Sequence, residues 1–327
     1  MSTINRKLTT AVLLASALGM TACGVENSIQ DELNQLEKTL TQVKKTITGV
    51  NETVNGLKVN GITYDASTAT ITVDGVPMNL TDIKQGMRVV INGLVRNDGT
   101  GLAYSVTYND ELQGTVIAND VTSNKQLNIM GQTVYVTPLT VFESQVAGYS
   151  ALADLVAGNQ VEVSGFSSGN GEIWSTRIEL KGASYTIGDE QELKGVISNL
   201  TATNFKLGNL TVNYENAVLE DFFQGVLTEG VYVEVKTSEA ISETGVLIAT
   251  EIEREDEGSK SISYSSTDEE IEVQGAVTSI TGTNEISLNG SKVLLTATTQ
   301  YEGGSFAQLK SGVLIEVEGY MDANGQF

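Results

Sequence analysis

The sequence predicts an all-β fold in which tandem repeats of about five strands follow one short N-terminal helix. One pattern with a fixed glycine occurs three times, and these glycines, Gly114, Gly195 and Gly275, are 81 and 80 residues apart. Alternating apolar residues surround Asn-Gly or Gly-Asn pairs, which is a good signal for β-hairpins. The chain also has 33 glycines and only two prolines, which suits many short strands joined by tight turns.

The chain begins with the features of a secretory signal peptide over residues 1–22. Two basic residues, Arg6 and Lys7, precede the apolar run Leu8–Met20. This run has about thirteen residues, whereas a helix needs roughly 20 to cross a bilayer. We therefore predict export, and not a transmembrane span.

The signal ends at Cys23, the only cysteine, and the residues Met20, Thr21 and Ala22 before it resemble the lipobox of bacterial lipoproteins. This resemblance implies cleavage before Cys23 and attachment of diacylglycerol to its sulfur, which would anchor the protein to a membrane. Gly24 stands where an aspartate would indicate the inner membrane, so the resemblance favours the outer membrane of a Gram-negative bacterium. The alternative is an ordinary free thiol. A single cysteine excludes an intramolecular disulfide and a structural Cys-based zinc site.

Residues 23–48 are predicted to form the lipidated tether and one heptad helix. Their apolar residues recur at alternating steps of four and three: Ile29, Leu33, Leu36, Leu40, Val43 and Ile47. About three heptads are only marginally stable as an isolated helix in water, so this helix needs a partner. The partner is either the first β-domain of the same chain or another copy, which would make the protein a homo-oligomer.

We predict four β repeats, over residues 49–110, 111–181, 192–254 and 272–327. The fourth repeat is incomplete, because the sequence stops after its Asn-Gly turn, where the other repeats continue into a closing strand. A five-stranded unit without its fifth strand exposes an open sheet edge. The sequence therefore predicts either a fragment or a last repeat that borrows a strand from a partner.

Each repeat also contains a strand that follows a glycine, such as Gly158–Gly165. Its period-two alternation predicts valines facing inward and Glu162, Glu234 and Glu316 facing outward. Trp174, the only tryptophan, lies on the next strand. We expect it to be half core and half surface, or to belong to a ligand-binding face.

Three stretches together resemble one family: Val59–Gly75, the Val-Glu-Val-Ser-Gly end of Gly158–Gly165, and Thr176–Glu179. They are similar to the tandem repeats of bacterial lipoproteins known as domain of unknown function 5666, and the resemblance spans residues 47–327. It implies tandem small five-stranded OB-like barrels after the N-terminal helix, and it carries no activity or active-site residue with it.

Composition excludes several function classes. With 19 basic and 41 acidic residues the chain carries a net charge of −22, which repels nucleic acids. The chain has no histidine, so a Ser-His arrangement and the usual zinc ligand are missing. Gly165–Gly169 matches the sequence pattern of the serine-hydrolase elbow, but it leads into a turn and not into a helix. Calcium-binding loops are also not expected, because Asn97–Asp98 and Asp322–Asn324 are better explained as turns. We therefore predict no catalytic residue, no cofactor and no metal.

These observations favour a non-catalytic cell-envelope lipoprotein that serves as a binding, spacer or adhesion module. Its expected partners are the membrane, through the lipid anchor, and an envelope or extracellular ligand that the sequence does not name. The alternatives are a carboxylate-based enzyme such as a glycoside hydrolase, and an oligosaccharide-binding OB-like protein. A facing pair of carboxylates inside a pocket would favour the enzyme, whereas outward carboxylates on the Val-Glu-Val strands would favour the module.

Overall fold

A computed structural model of the protein describes residues 42–242, 245–255, 270–288, 291–322 and 327. The signal peptide, Cys23 and most of the predicted helix lie outside these residues, and they stay predictions. The helix prediction is wrong at its C-terminal end, because Gln42–Val50 is a β-strand that contains Val43 and Ile47. Ile47 is fully buried in the core of the first repeat, so tertiary packing overrides the short heptad pattern.

The first repeat contains seven strands, several of them short: β1 (Gln42–Val50), β2 (Leu57–Val59), β3 (Ile62–Asp65), β4 (Thr70–Val73), β5 (Val76–Pro77), β6 (Arg88–Arg96) and β7 (Thr100–Tyr108). β2 and β3 form the predicted hairpin around Asn60 and Gly61, whose φ angles of 50° and 76° match the turn that such pairs favour. β7 runs parallel to β3 and β4 and antiparallel to β6. A single turn of 3₁₀ helix, Leu80–Asp82, precedes β6.

The second repeat contains five strands: β8 (Leu112–Asp120), β9 (Gln126–Ile129), β10 (Gln132–Ser144), β11 (Gln160–Ser167) and β12 (Glu172–Gly182). A short helix, α1 (Val121–Asn124), joins β8 to β9, and a 3₁₀ turn, Leu152–Asp154, precedes β11. β12 runs parallel to β10 and antiparallel to β11, and β11 also pairs with β8. The last strand of the repeat is therefore held between its third and fourth strands.

The third repeat contains β13 (Gln191–Val196), β14 (Asn204–Leu207), β15 (Leu210–Asn213), β16 (Val218–Glu220), β17 (Tyr232–Thr237), β18 (Val246–Ile248) and β19 (Glu251–Arg254), with a 3₁₀ turn at Phe223–Gly225. The fourth contains β20 (Glu270–Thr281), β21 (Glu285–Leu288), β22 (Ser291–Leu294) and β23 (Leu314–Gly319), with a 3₁₀ turn at Phe306–Gln308. β18 and β19 pair in parallel with β15 and β16, in the same arrangement as β12 on β10.

The prediction of tandem closed OB-like barrels is wrong. The structure is a β-solenoid of stacked coils, in which the opening strands of different repeats pair with one another and join the repeats into shared sheets. β1 pairs in parallel with β20, and β8 pairs antiparallel with β13. Each opening strand has backbone N–H and C=O groups on both of its edges. Strands of the same repeat pair with one edge, and the opening strand of another repeat pairs with the other edge.

The core follows the same connections. The second and third repeats share one apolar core, while the first and fourth have smaller cores of their own. A junction core joins three repeats through Val50, Phe166, Trp174 and Ala276. Trp174 is only 8% exposed and stacks on Tyr135 with a centroid separation of 5.6 Å, so the expectation of a half-exposed tryptophan is wrong.

Candidate functional site

A cluster of buried charges lies where the third repeat contacts the residues just before β8, the opening strand of the second repeat, and we call it the lysine-carboxylate cluster. It consists of Asp110, Glu192, Lys194 and Glu234. Glu192 and Lys194 lie on one side of β13 because side chains alternate along a strand, while Leu193 between them is buried in the apolar core. Glu234 on β17 lies opposite Lys194, and Asp110 precedes β8.

Lys194 occupies the centre of this cluster. Its Nζ lies 2.8 Å from Glu192 Oε1, 3.0 Å from Glu234 Oε1 and 3.8 Å from Asp110 Oδ1, and it donates a hydrogen bond to the carbonyl oxygen of Asp110. Burial alone would lower the pKa of Lys194, but Glu192, Asp110 and Glu234 outweigh burial and raise this pKa well above its ordinary value. The ammonium group is therefore charged and fixed between the two repeats.

The two glutamates of the cluster differ in their affinity for protons. Burial raises the pKa of Glu192 to about 7, with Lys194 opposing the rise and the Glu234 carboxylate adding to it. Burial also disfavours the charged form of Glu234, but Lys194, a hydrogen bond with Glu192 and the ammonium of Lys236 together lower its pKa. Two close carboxylates cannot both ionise easily, so Glu192 takes the proton and Glu234 keeps the charge.

A second set of polar groups continues from Asp110 into the first repeat and β11. Tyr108 Oη donates to Glu162 Oε1 at 3.0 Å, and Lys181 Nζ lies 2.9 Å from Glu162 Oε2. The backbone N–H of Asp110 donates to Asp74 Oδ1 at 2.9 Å. The buried carboxylate of Glu162 is thus held by a tyrosine and a lysine, and the exposed carboxylate of Asp74 is held by a backbone amide.

Two further basic residues form ion pairs that join other repeats. Arg88 on β6 bonds Glu111 at 2.8 Å, and its guanidinium lies 5.8 Å from the centroid of the Phe166 ring. Lys45 on β1 contacts Glu270 and Glu272 on β20 at 3.2 and 3.6 Å, and it also pairs with Glu318. Buried or partly buried ion pairs therefore occur at the first-to-second, second-to-third and first-to-fourth contacts.

One group of carboxylates has the spacing of a metal site. Single oxygens of Glu234, Glu253 and Glu255 lie within 4.8 Å of one another. Glu234 is already neutralised by Lys194 at 3.0 Å and Lys236 at 2.8 Å, so a cation there would face two ammonium groups. The geometry therefore favours ion pairs over a metal.

The site residues expected from the sequence fall in different places. Cys23 and the lipobox residues Met20, Thr21 and Ala22 lie outside the described residues. The outward orientation is wrong for Glu162 and Glu234, which are 7% and 6% exposed, and it is confirmed for Glu316. Asp98 accepts hydrogen bonds from the backbone and hydroxyl of Thr100, which confirms the turn.

The sequence patterns did not point to Lys194 and Asp110. The motif Glu-Leu-Lys-Gly marks a repeat opening, but alternation on a strand also places Glu192 and Lys194 on one face. In an isolated repeat, the face of the strand that carries Glu192 and Lys194 would be in contact with water. The sequence alone therefore gives no reason to expect these two side chains to form a buried cluster. The signal that could have found the cluster is that a glutamate recurs in or just before the opening strand of each later repeat, at Glu111, Glu192 and Glu272.

This arrangement has limited chemical capacity. A protonated glutamate beside an ionised one is the pattern of a general acid and base. Here, however, Lys194 Nζ lies within 3.0 Å of both carboxylates, so a substrate would have to displace a buried, charged side chain. What the cluster can do is hold two repeats together and exchange one proton near neutral pH.

Comparison with protein families gives one match, repeated four times. The family described as Domain of unknown function (DUF5666) matches residues 46–107, 113–179, 194–253 and 274–327. A comparison with curated proteins gave no match. Among the described residues, no helix is long and apolar enough to cross a membrane. The resemblance seen in the sequence is thus confirmed for the repeats, and the chain belongs to the family described as Domain of unknown function (DUF5666), with four tandem copies of its domain.

Proposed function

We propose that the protein is a non-catalytic lipoprotein of the bacterial cell envelope, anchored through Cys23, whose β repeats form a binding module. The observation that carries the proposal is the N-terminal pattern, in which Arg6 and Lys7, the run Leu8–Met20 and the lipobox residues lead to the only cysteine. A diacylated cysteine gives stable attachment, because two acyl chains bury far more methylene groups than one.

The charged cluster supports a structural role in such a module. Its carboxylates are bound by Lys194 and Lys236, and Lys194 also donates to the carbonyl oxygen of Asp110 just before the second repeat, which fits a structural contact better than a catalytic centre. β1 pairs with β20, which brings the first and fourth repeats together. This pairing favours a compact binding or adhesion module over an extended spacer.

The first experiment compares the wild type with Cys23→Ala in an expressing Gram-negative bacterium. We expect mature wild type to lack residues 1–22, to carry the added mass of acyl chains and to require detergent for extraction from outer-membrane fractions. Cys23→Ala should carry no acyl mass and should leave the membrane without detergent. The described β repeats do not contain residue 23, so both proteins should give the same circular dichroism spectrum after purification.

A carboxylate enzyme is the competing function, and the Glu192 and Glu234 pair is the place to test it. Glu192→Gln keeps the shape of the side chain and removes its acidity. If release of reducing sugar from envelope polysaccharides is detected with wild type and abolished in Glu192→Gln, the non-catalytic proposal is wrong. If the wild-type protein carries no acyl mass and is extracted without detergent, the proposed lipid anchor at Cys23 is wrong.

A further inference from the structure

The lysine-carboxylate cluster brings together an amine and a carboxyl group from distant parts of the chain. β13 pairs antiparallel with β8, with Leu193 opposite Leu112. This register places Lys194 next to Glu111, and the backbone N–H of Lys194 donates to the carbonyl oxygen of Glu111 at 3.4 Å. The pairing of the two strands therefore holds Lys194 beside Asp110, the residue that precedes Glu111.

The side chains of Lys194 and Asp110 are close together and shielded from water. Lys194 Nζ lies 2.6 Å from the carbonyl oxygen of Asp110 and 3.8 Å from its Oδ1, and the two side chains are 10% and 4% exposed. Reacting atoms attack one another from about 3–3.5 Å, which a rotation of the Asp110 side chain reaches. By contrast, Lys181 beside Glu162 is 40% exposed in its side chain, so that pair remains hydrated.

One carboxyl oxygen of Asp110 lacks a hydrogen bond. Asp110 Oδ1 is buried, and among the described residues no group forms a hydrogen bond with it. A buried carboxylate without donors is costly, whereas the uncharged acid is less so. Burial and the nearby Glu192 accordingly raise the pKa of Asp110 well above its ordinary value. Asp110 is therefore an uncharged carboxylic acid, which is the form in which a carboxyl carbon accepts an amine.

Glu234 provides a base for such a reaction. It is the ionised carboxylate of the cluster, and its Oε1 lies 3.0 Å from Lys194 Nζ. Lys194 is charged at rest, and an ammonium group has no lone pair with which to attack. Transfer of one proton from Lys194 to Glu234 gives an amine and an acid that are both uncharged. Burial opposes the charge on each group, so the buried contact favours this transfer more than water would.

We propose that Lys194 and Asp110 form an amide bond within the chain, with Glu234 as the base that accepts a proton from the lysine. The nitrogen lone pair of Lys194 bonds to Cγ of Asp110, and the bond from Cγ to the hydroxyl oxygen breaks. Of the three protons of the ammonium group, one passes to Glu234, one leaves with the hydroxyl group as water, and one stays on the amide nitrogen. Every reacting group belongs to the cluster, so no substrate has to displace Lys194.

The bond ties the third repeat to the segment just before the second. Asp110 and Lys194 are 84 positions apart in the sequence, so the bond closes a large loop and restricts the unfolded chain. The ion pairs of Lys194 described above belong to the chain before the bond forms. This covalent link goes beyond the proposed binding role and does not depend on the lipid anchor, so the two proposals can fail separately.

Mass spectrometry of the purified full chain tests for the bond. We expect the wild type to have lost one water molecule relative to variants that cannot form the bond, after the mass of each substitution is subtracted. Trypsin cuts after lysine and arginine, but not after a lysine whose amine is acylated. Residues 97–125 and 182–206 should therefore appear as one linked product that is uncut at Lys194. Fragmentation of this product should place the link between Asp110 and Lys194.

Substitutions assign the role of each group. Lys194→Arg keeps the positive charge and Asp110→Ala removes the acceptor carbon, and both should retain the full mass and give separate peptides. Glu234→Gln should leave most of the protein unlinked, because a positioned base accelerates a reaction about a hundredfold or more. Lys236→Arg changes the other lysine beside Glu234, at 2.8 Å, and as the matched control it should link like the wild type. Circular dichroism spectra equal to that of the wild type would show that each variant is folded.

Three outcomes would overturn the proposal. The first is a wild-type protein of full mass that trypsin cuts normally after Lys194. The second is a loss of water with normal cleavage after Lys194, which would indicate a cyclic imide at an Asp-Gly pair such as Asp98 and Gly99. The third is a link that forms equally in Asp110→Ala or in Glu234→Gln, which would show a different acceptor or a different base.

Discussion

Replacing Lys194 tests whether the lysine-carboxylate cluster holds the second and third repeats together. Lys194→Met keeps most of the length of the side chain and removes its charge. The substitution leaves Glu192, Glu234 and Asp110 without the ammonium that lies 2.8, 3.0 and 3.8 Å from them. Removing one partner of a buried ion pair costs about 3–5 kcal/mol, because the remaining charge stays desolvated.

We expect Lys194→Met to lower the free energy of unfolding by about 3 kcal/mol at pH 8, the low end of that range because Glu192 can take up a proton. The assay is urea denaturation followed by the emission of Trp174, the only tryptophan, which is buried in the junction core. The double variant Lys194→Met with Glu192→Gln should recover part of the loss, because one buried carboxylate has been removed. Lys236→Gln, whose lysine is 30% exposed in its side chain, is the matched control and should cost less than about 1 kcal/mol. A loss below about 1 kcal/mol for Lys194→Met would refute the reasoning, because it would mean that the cluster is solvated.

Three further predictions concern pH, backbone contact and the junction core. The pKa of Glu192 is about 7 in the folded chain and 4.5 in the free group, so the folded chain binds one more proton than the unfolded chain between these pH values. The free energy of unfolding should therefore fall as the pH rises through this window, and Glu192→Gln should flatten the slope in denaturation series from pH 4.5 to 7.5. An unchanged slope would mean that another group causes the pH dependence. Gly165→Ala should cost about 2 kcal/mol in thermal unfolding, because its new Cβ would clash with the carbonyl oxygen of Trp174 and lie 2.9 Å from the Cα of Ser175. Gly182→Ala, whose nearest contact would be 3.3 Å, should cost less than about 1 kcal/mol, and equal losses for the two variants would contradict the contact argument. Trp174→Ala should lower the free energy of unfolding by about 3–5 kcal/mol, measured by circular dichroism in urea, and a loss near zero would show that the junction core does not hold the repeats.

The local structure of this chain is accessible from its sequence because turns and alternation act over a few residues. Asn60 and Gly61 predict a hairpin that the structure contains, and the openings at Glu111, Glu192 and Glu272 fall within or just before opening strands. The parallel pairing of β12 on β10 is beyond the reach of such patterns, because it depends on which distant strands meet. A period-two pattern indicates that a strand has two faces, but it does not say what covers each face.

The errors about Glu162, Glu234 and the helix have the same origin. In an isolated repeat, a glutamate between two valines faces water, and the pattern of Val43 and Ile47 is that of a helix. Both interpretations fail because of partners on other strands. Lys194 on the neighbouring strand β13 pairs with Glu234, Lys181 on β12 pairs with Glu162, and β20 pairs with the strand that contains Ile47. Contacts between strands that are distant in the chain leave little trace in local periodicity. The glutamate that recurs at the opening of each later repeat was the available trace.

The pairing of β1 with β20 also has a consequence for how the chain reaches its native state. Lys45 lies opposite Glu270, so this parallel ladder joins residues 225 positions apart in the sequence. Closing so large a loop costs conformational entropy before any contact repays it, and native structures rich in distant contacts fold slowly. During synthesis β1 keeps an unpaired edge until the fourth repeat has emerged, and an open edge of that kind recruits strands from other chains. Completion of the fourth repeat is therefore the step that ends the period in which the newly made protein is most prone to aggregate.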